Sequence, residues 1–193
     1  EIMFFSTPFD EESIHFLESI NVELYKIASF DLVNQKLLNL VANTGKPVIL
    51  SVGMSNLEEI KSAVEVLNMS CEVALLHCIS AYPTLPKDAN LGAIHFLRNQ
   101  FPNLLIGQSD HTNGIEVPLL AIAAGARIIE KHFRISDTMH CVDEVVSISE
   151  EKLGELISRA KEIELVLGHG VPGVTSVQKP ILQYRRYSNL EDR

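Results

Sequence analysis

Two histidines, His111 and His132, have the clearest potential for metal chemistry in this sequence. Each follows an apolar, β-branched segment typical of a buried strand. Neutral imidazole binds ions such as Mn, Fe, Zn or Co, so two rings that meet at one place would form part of a metal site. Asp110 and Glu130 stand close by in sequence and are candidates for further ligands or for acceptors that orient the rings. Without an H-x-x-x-H or C-x-x-C spacing the pair is weak evidence, and ordinary hydrogen-bonded histidines are the commoner explanation.

A lysine and several serines indicate a second kind of chemistry, the binding of a phosphate group. Lys26 and Ser29 belong to one strand candidate, while Ser51 and Ser109 end two others. An ammonium group among hydroxyls is more typical of a phosphate cradle than of an isolated nucleophile. A buried lysine could instead form a Schiff base with a carbonyl substrate, and this alternative stays open for Lys26 and Lys131. Each serine taken singly could also be a turn or capping residue.

These residues lie within a regular alternation of apolar, strand-like segments and amphipathic, helix-like segments. The predicted strands are 2–7, 23–29, 47–52, 72–79, 104–109 and 127–133. The predicted helices are 11–20, 35–43, 57–67, 91–101, 115–124 and 150–167. Units of this size predict a parallel sheet with helices outside it, since each crossover must return the chain to the same edge. The pattern suits either an open doubly wound sheet or part of a (β/α)8 barrel.

Every predicted strand brings hydroxyl, amine or imidazole side chains to its carboxyl end. Because parallel strands end at the same edge of a sheet, these groups should converge where α/β folds place their active sites. The sequence contains no G-x-x-x-x-G-K-[ST] or G-x-S-x-G motif. It therefore gives no support to a nucleotide-binding P-loop or a serine hydrolase.

Composition excludes several classes of protein. The chain has 193 residues, of which 46% are hydrophobic and 21% charged, unlike a disordered or collagen-like chain. Its formal net charge of −9 argues against a nucleic acid partner. Three cysteines without a C-x-x-C pair favour a reducing compartment over a secreted disulfide framework. No apolar run is long enough to predict a membrane segment, so we expect a cytoplasmic protein with no membrane partner.

Six ordered blocks of the sequence resemble those of one known family. They are FSTPFD (5–10), YKIAS (25–29), PVILSVGM (47–54), LHC (76–78) with YPT (82–84), GQSDHT (107–112) and IEKHF (129–133). Their order and spacing are similar to those of N-acetylneuraminate (sialic acid) synthases, a family that includes pseudaminate and legionaminate synthases. The step from Ser29 through Phe30 to Asp31 is more similar to the pseudaminate and legionaminate branches.

The resemblance implies a reaction and its participants. Phosphoenolpyruvate would condense with an open-chain N-acetylated hexosamine to form a nonulosonic 2-keto acid, and phosphate would leave. A divalent metal, Mn or Mg, would be held by His111 and His132. The residues that match catalytic positions are Lys26, Asp31, His111 and His132, and Asp31 stands where many members carry Glu. Those that match substrate-binding positions are Thr7, Lys26, Ser29, Ser51, Ser80, Tyr82, Ser109 and Asp143, with Tyr82 and Asp143 facing the sugar.

The resemblance also implies the fold, an incomplete TIM (β/α)8-type barrel with strands three to eight present. We expect residues 1–170 to form this partial barrel domain and residues 171–193 to form a C-terminal tail or the start of a linker. Family barrels have two earlier strands, which supply a Glu and a Lys. Family members also carry a C-terminal antifreeze-like domain, which we expect to be absent after Tyr187.

Some positions depart from the family pattern and keep an alternative function open. The family's Gly-Pro-Asp-rich loop reads HCVDE (140–144) here, and Ser80 replaces the usual Asn before the Tyr-Pro pair. The alternative is a non-catalytic fragment or paralogue that retains ligand binding at most. Exposed strand edges of an unclosed barrel would favour pairing with another chain, so a homo-oligomer is a further expectation.

Overall fold

The computed structural model describes residues 2–136 and 138–186. Five strands form one sheet: β1 (Tyr25–Ile27), β2 (Val48–Ser51), β3 (Val73–Cys78), β4 (Leu105–Asp110) and β5 (Ile129–Lys131). Six α-helices accompany them: α1 (Glu11–Ser19), α2 (Gln35–Ala42), α3 (Leu57–Asn68), α4 (Gly92–Gln100), α5 (Glu116–Ala123) and α6 (Glu150–Leu167). Short 3-10 helices lie at Ser29–Asp31, Pro86–Asp88 and Ser176–Tyr184.

The strands follow one another across the sheet in chain order, from β1 to β5, and every neighbouring pair is parallel. A doubly wound sheet reverses its strand order at a switch point, whereas a barrel wall does not. The unbroken order therefore favours the barrel over the doubly wound sheet. The chain is an α/β fold whose parallel half-barrel sheet is that of an incomplete TIM-type barrel.

Local sequence signals explain why the helices begin where they do. The side chain of Asn56 accepts hydrogen bonds from the backbone N–H groups of Glu58 and Glu59, and the Glu59 carboxylate accepts one from the Asn56 N–H. This capping box satisfies N–H groups that have no partner inside α3. The predicted helices are all confirmed, and their ends agree with the prediction to within about two residues.

The centre of the sheet is buried on both of its faces, whereas β5 is half-buried. All six residues of β3 are buried, and its neighbour β2 is nearly so. One apolar core runs from α1 to the start of β5 and includes Leu38, Leu50 and Leu75, which are fully buried. A smaller cluster joins Ile115 and Leu119 near α5 with Leu156 of α6. These two clusters hold the strands rigidly, which fixes the residues at their carboxyl ends.

The strand predicted at 2–7 is not formed. Only Ser6 pairs there, through one parallel bridge to Tyr25 in which the Lys26 N–H donates to the Ser6 carbonyl. Residues 2–5 are exposed, and a strand needs a ladder of backbone hydrogen bonds rather than a single one. Five of the six predicted strands are therefore confirmed, and the numbering of strands three to eight is not.

The described residues past α6 are exposed to solvent. Residues 169–186 are all exposed, including the 3-10 helix Ser176–Tyr184. The predicted division at residue 170 stays a prediction, and residues 187–193, with Tyr187, lie outside the described residues. Among the described residues, no helix has both the length and the apolar character needed to cross a bilayer.

One glycine is required by the close approach of β4 to the segment that leads into β5. A Cβ atom added to Gly107 would lie 2.4 Å from the Ile128 carbonyl oxygen and 2.6 Å from Cδ2 of Leu76. The Ile128 carbonyl also accepts the N–H of Gln108 at 2.8 Å, so it cannot move away without loss of that hydrogen bond. Gly107 therefore sets the spacing of the two strands that carry the histidines.

We expect Gly107→Ala to lower the free energy of unfolding by about 1–3 kcal/mol, because the added methyl group overpacks a buried strand pair. Gly154→Ala is the matched control, since no atom lies within 4 Å of its added Cβ. Gly154 is inside α6, where alanine should raise the free energy of unfolding by about 0.5–1 kcal/mol. Urea unfolding followed by circular dichroism measures both variants, and equal stabilities would contradict this account of Gly107.

Candidate active site

A cavity of about 380 Å³ opens at the carboxyl ends of the strands. All of the predicted site residues except Asp31 and Asp143 line it: Thr7, Lys26, Ser29, Ser51, Ser80, Tyr82, Ser109, His111 and His132. We call the buried part, with Lys26, Ser51 and Ser109, the floor of the cavity, and the exposed part, with Phe9, Phe30 and Tyr82, its mouth. The convergence of polar groups predicted for this edge of the sheet is thus observed.

Lys26 is the cation of the floor. Lys26 lies in β1, and its side chain is only 9% exposed. The ammonium donates hydrogen bonds to Ser51 Oγ at 2.8 Å and to the Ile27 carbonyl at 3.2 Å, and it lies 3.5 Å from Glu130 Oε2. Burial lowers the pKa of Lys26 below its usual value, and the nearby Glu130 carboxylate opposes that shift. An anionic ligand would restore the preference for the charged ammonium.

Glu130 is a cavity residue that the sequence analysis placed only near the histidines. Its Oε1 accepts a hydrogen bond from Ser109 Oγ at 2.6 Å, and it lines the cavity beside Lys26. Ser109 and Glu130 are direct partners in the register of β4 and β5. The signal was available in the sequence, because side chains two apart on a strand share a face and Glu130 is two residues before His132.

A glycine keeps the floor open next to Ser29. The Gly53 N–H donates to Ser29 Oγ at 2.9 Å. A Cβ atom at position 53 would lie 2.5 Å from Ser80 Oγ and 2.9 Å from Ser29 Oγ, within the space that these hydroxyls occupy. The glycine of the PVILSVGM block therefore allows two hydroxyls and a backbone N–H to face the same place, as an anion cradle requires.

The two histidine rings and Tyr82 form one aromatic cluster. The ring of Tyr82 stacks on His111 with centroids 4.0 Å apart and meets His132 edge-on at 5.6 Å. The two imidazole centroids are 5.3 Å apart. The structure thus brings His111 and His132 together, as predicted from strand ends that were distant in sequence.

The donor set of the two rings is compatible with a divalent metal ion. Nδ1 of His111 is hydrogen-bonded to the Ile79 carbonyl at 2.9 Å, and Nδ1 of His132 is 3.5 Å from the Asp143 carboxylate. Outer partners of this kind orient metal-binding imidazoles and leave Nε2 as the ligand atom. Among the described residues, no group of three or more His, Cys, Asp or Glu side chains could hold a metal. The described residues would therefore supply two ligands to such an ion.

The pKa values of His111 and His132 are shifted in opposite directions. Burial opposes the charging of His111, but the Cys78 thiol and a backbone carbonyl outweigh it and raise the pKa of His111 above its usual value. Burial also acts against ionisation of Cys78, whose pKa is nevertheless lowered, mainly by His111. Burial lowers the pKa of His132, and the Asp143 carboxylate only partly offsets this. His132 is thus held in the neutral form that binds metals.

Two of the predicted site residues lie beside the cavity rather than in its lining. Asp31 follows Phe30 in the 3-10 helix, and its carboxylate accepts a hydrogen bond from the Asn34 side chain at 3.0 Å. The Asp143 carboxylate lies 3.5 Å from Nδ1 of His132, and Asp143 does not line the cavity. The catalytic role expected for Asp31 and the sugar contact expected for Asp143 stay predictions.

The partner of Asp110 is Lys131 and not a histidine. Its carboxylate pairs with the Lys131 ammonium at 2.7 Å, and the two side chains are 1% and 4% exposed. It also accepts hydrogen bonds from Thr112 and from the Gln108 amide, while Lys131 donates to the Thr112 carbonyl. These bonds tie β4, β5 and the loop after β4 together. Asp110 therefore supports the site structurally and does not orient an imidazole through a hydrogen bond.

A family model described as the NeuB family matches residues 1–172. The chain belongs to the NeuB family. It is 47% identical over 171 residues to an uncharacterized protein of Methanocaldococcus jannaschii, covering 88% of this chain and 50% of that protein. It is 38% identical over 177 residues to the N,N'-diacetyllegionaminic acid synthase of Campylobacter jejuni, covering 88% and 52%. A solved N-acetylneuraminic acid (sialic acid) synthetase of Leptospira borgpetersenii, in complex with citrate, is similar with a TM-score of 0.92 and 40% identity, covering 100% of this chain and 67% of that one.

The predicted family is therefore confirmed. Named relatives of this NeuB chain are synthases of sialic, pseudaminic and legionaminic acids. The chain spans about half the length of the curated relatives it matches.

The buried ion pair of Asp110 with Lys131 leads to a prediction about the free energy of unfolding. Lys131→Met would leave the Asp110 carboxylate buried without its counter-ion, so we expect the free energy of unfolding to fall by about 3–5 kcal/mol. Lys152→Met is the control, because its pair with Glu155 is exposed and should contribute about 1 kcal/mol or less. Urea unfolding measures both variants. A loss no larger than that of the control would show that the pair does not hold the two strands together.

Proposed function

We propose that this chain forms the catalytic region of a nonulosonate synthase, which condenses phosphoenolpyruvate with an N-acetylated hexosamine. A carbon–carbon bond forms between C3 of phosphoenolpyruvate and the sugar aldehyde. Water adds at C2, the C–O bond to phosphate breaks, and inorganic phosphate leaves. In this proposal the segment at Ser6 and strands β1 to β5 correspond to strands three to eight of an eight-stranded barrel.

The observation that carries the proposal is one cavity in which a buried ammonium, several hydroxyls and two imidazoles face the same space. Phosphoenolpyruvate carries a phosphate and a carboxylate, and the floor offers Lys26 with the hydroxyls of Ser51 and Ser29 for them. Thr7 and Ser109 line the same space and complete the cradle. Glu130 lines the cavity beside Ser109, and its carboxylate would accept a proton from the water that adds at C2.

The sugar would bind nearer the mouth. Tyr82 and Ser80 line that side of the cavity, next to the two histidines. His111 and His132 are the residues that would hold a divalent ion, Mn or Mg. Such an ion, when bound, supplies Lewis-acid polarisation of the sugar aldehyde. The Ile79 carbonyl and Asp143 keep both rings oriented for this purpose.

Phosphate release tests the proposal directly. With phosphoenolpyruvate, an N-acetylated hexosamine and Mn, we expect sustained release of phosphate that EDTA stops and added Mn restores. His132→Ala should lower kcat/KM by at least about 100-fold, because one of two protein ligands is lost. His95→Ala, on the exposed face of α4, should leave kcat/KM unchanged. Turnover that resists EDTA would overturn the role assigned to the histidines.

A second candidate function is a non-catalytic module that binds phosphoenolpyruvate without turning it over. One observation favours it: the described residues offer two imidazoles rather than a complete metal-ligand set. Both candidate functions require the cradle around Lys26. They differ in whether phosphate is released, so binding and turnover must be measured on the same preparation.

Calorimetric titration with phosphoenolpyruvate tests the cradle on its own. We expect saturable binding that Lys26→Met weakens by about 10-fold to 100-fold, because a charge-assisted contact is lost. Lys36→Met is the control, since Lys36 pairs with Glu11 on the surface. Burial lowers the pKa of Lys26, so binding should weaken as pH rises and the ammonium loses its proton, at a lower pH than for an exposed lysine. Saturable binding without phosphate release would favour the non-catalytic module, and absence of binding would contradict both functions.

A further inference from the structure

The loop between β3 and α4, which carries Ser80 and Tyr82, is fastened to the end of β4 by a buried threonine. This residue, Thr84, is 4% exposed and does not line the cavity. Its backbone N–H donates to the His111 carbonyl at 2.9 Å, beside an isolated parallel bridge from Thr84 to Thr112. The proposed function gives no role to Thr84, although Thr84 contacts the strand end that carries a histidine of the site.

The hydroxyl of Thr84 holds two carbonyl groups at the start of the same loop. Its Oγ1 lies 2.9 Å from the Ala81 carbonyl oxygen and 3.2 Å from that of Ile79, and it donates to both. The Ile79 carbonyl also accepts a hydrogen bond from Nδ1 of His111 at 2.9 Å. A carbonyl oxygen has two lone pairs and can accept both bonds. Thr84 and His111 therefore share one acceptor, and the hydroxyl helps to fix its position.

The hydrogen bond to Ile79 decides which nitrogen of His111 is free. A carbonyl oxygen can only accept, so Nδ1 carries the proton and Nε2 keeps the lone pair with which imidazole binds a metal. Sγ of Cys78 lies 3.9 Å from the same Nδ1. A thiol that donated there would need an unprotonated Nδ1, and the ring proton would then lie on Nε2 and block metal binding. The position of the Ile79 carbonyl therefore selects between a ring that can bind a metal and a ring that cannot.

The other histidine of the site is oriented by a different group. Nδ1 of His132 lies 3.5 Å from the Asp143 carboxylate. Among the described residues, the hydrogen bonds of Thr84 reach His111 and the carbonyl that His111 shares, but neither His132 nor Asp143. A change of the Thr84 hydroxyl should therefore affect one imidazole and leave the other as it is.

We propose that Thr84 is a positioning residue, whose hydroxyl holds the Ile79 carbonyl where it keeps His111 in the Nδ1–H tautomer and leaves Nε2 available to a divalent ion. This inference rests on the proposed function and explains how the metal-binding form of His111 is selected. Loss of a group that orients a metal ligand typically lowers metal affinity by about 10-fold to 100-fold. Thr84 acts one hydrogen bond further from the ion, so its effect should lie near the lower end of that range.

Nitrogen chemical shifts of the imidazole rings test the tautomer without metal or turnover. In two-bond proton–nitrogen spectra of the metal-free protein at about pH 9, where imidazole is neutral, we expect the His111 proton on Nδ1. Thr84→Val replaces the hydroxyl by a methyl group and should shift His111 toward a mixture of tautomers, with His132 unchanged. A His111 proton on Nε2 in the unaltered protein would overturn the proposal, whether or not Thr84→Val folds. Retention of the Nδ1–H tautomer in a folded Thr84→Val variant would also overturn it.

Titration of Mn into the metal-free protein, followed by the relaxation of water protons, tests the consequence for metal binding. We expect Thr84→Val to raise the dissociation constant about tenfold, whereas Thr84→Ser, which keeps the hydroxyl, should stay within about twofold of the unaltered protein. Thr44→Val is the matched control, because Thr44 Oγ1 donates to the Val41 carbonyl at 2.7 Å just past α2 and Thr44 does not line the cavity. Equal Mn affinities of Thr84→Val and Thr44→Val would contradict the role given to Thr84.

The dependence of turnover on Mn separates positioning from folding. Thr84→Val should lower kcat/KM at limiting Mn and recover most of it at saturating Mn, because the defect lies in metal binding. A loss that saturating Mn does not reduce, with altered shifts of His132 as well, would show that Thr84 acts in folding and would overturn the proposal. Absence of Mn binding by the unaltered protein would reject the metal role within the proposed function. The nitrogen shifts would still decide whether Thr84 sets the tautomer of His111.

Discussion

The register between β4 and β5 is the constraint on which the candidate site depends. It pairs Ser109 with Glu130 and Asp110 with Lys131. Ser109 and Glu130 line the cavity with the histidines, whereas Asp110 and Lys131 form a buried ion pair, of which Lys131 also lines the cavity. A slip of one residue would exchange these environments and separate the members of the ion pair. The attraction between Asp110 and Lys131 therefore favours the one register in which His111 and His132 meet.

The floor of the cavity contains a cationic side chain, although the chain as a whole is acidic. The protein has a formal net charge of −9, yet the floor of the cavity presents a buried ammonium among hydroxyls. Burial makes the charged form of Lys26 costly, and Glu130 only partly offsets this cost. An anion that binds at the floor would supply the missing counter-charge, so ligand binding and protonation of Lys26 are linked. The cavity thus offers a buried cation to an anionic ligand, although the net charge of the chain is negative.

Much of the fold could be predicted from the sequence, and the exceptions have physical causes. The alternation of apolar, strand-like segments with amphipathic, helix-like segments predicted the helices and five of the strands correctly. The segment 2–7 has the same apolar character, but it forms one bridge because pairing depends on a neighbouring strand and not on hydrophobicity. Glu130 was predicted to lie near the histidines. The register of β4 and β5 also places it opposite Ser109. Asp110 was considered as a partner for the histidines, yet it does not line the cavity and its carboxylate pairs with Lys131.

The sequence by itself determined the order of strand and helix units, the polar residues that end each strand, and the membership of the family. These depend on local periodicity and on ordered motifs, which are written along the chain. Only the tertiary structure decided which ends meet: the two imidazole centroids at 5.3 Å, Lys26 against Ser51, and the exposed phenyl rings at the mouth. Those distances follow from strand register and helix packing between residues far apart in the chain, and no local pattern encodes them.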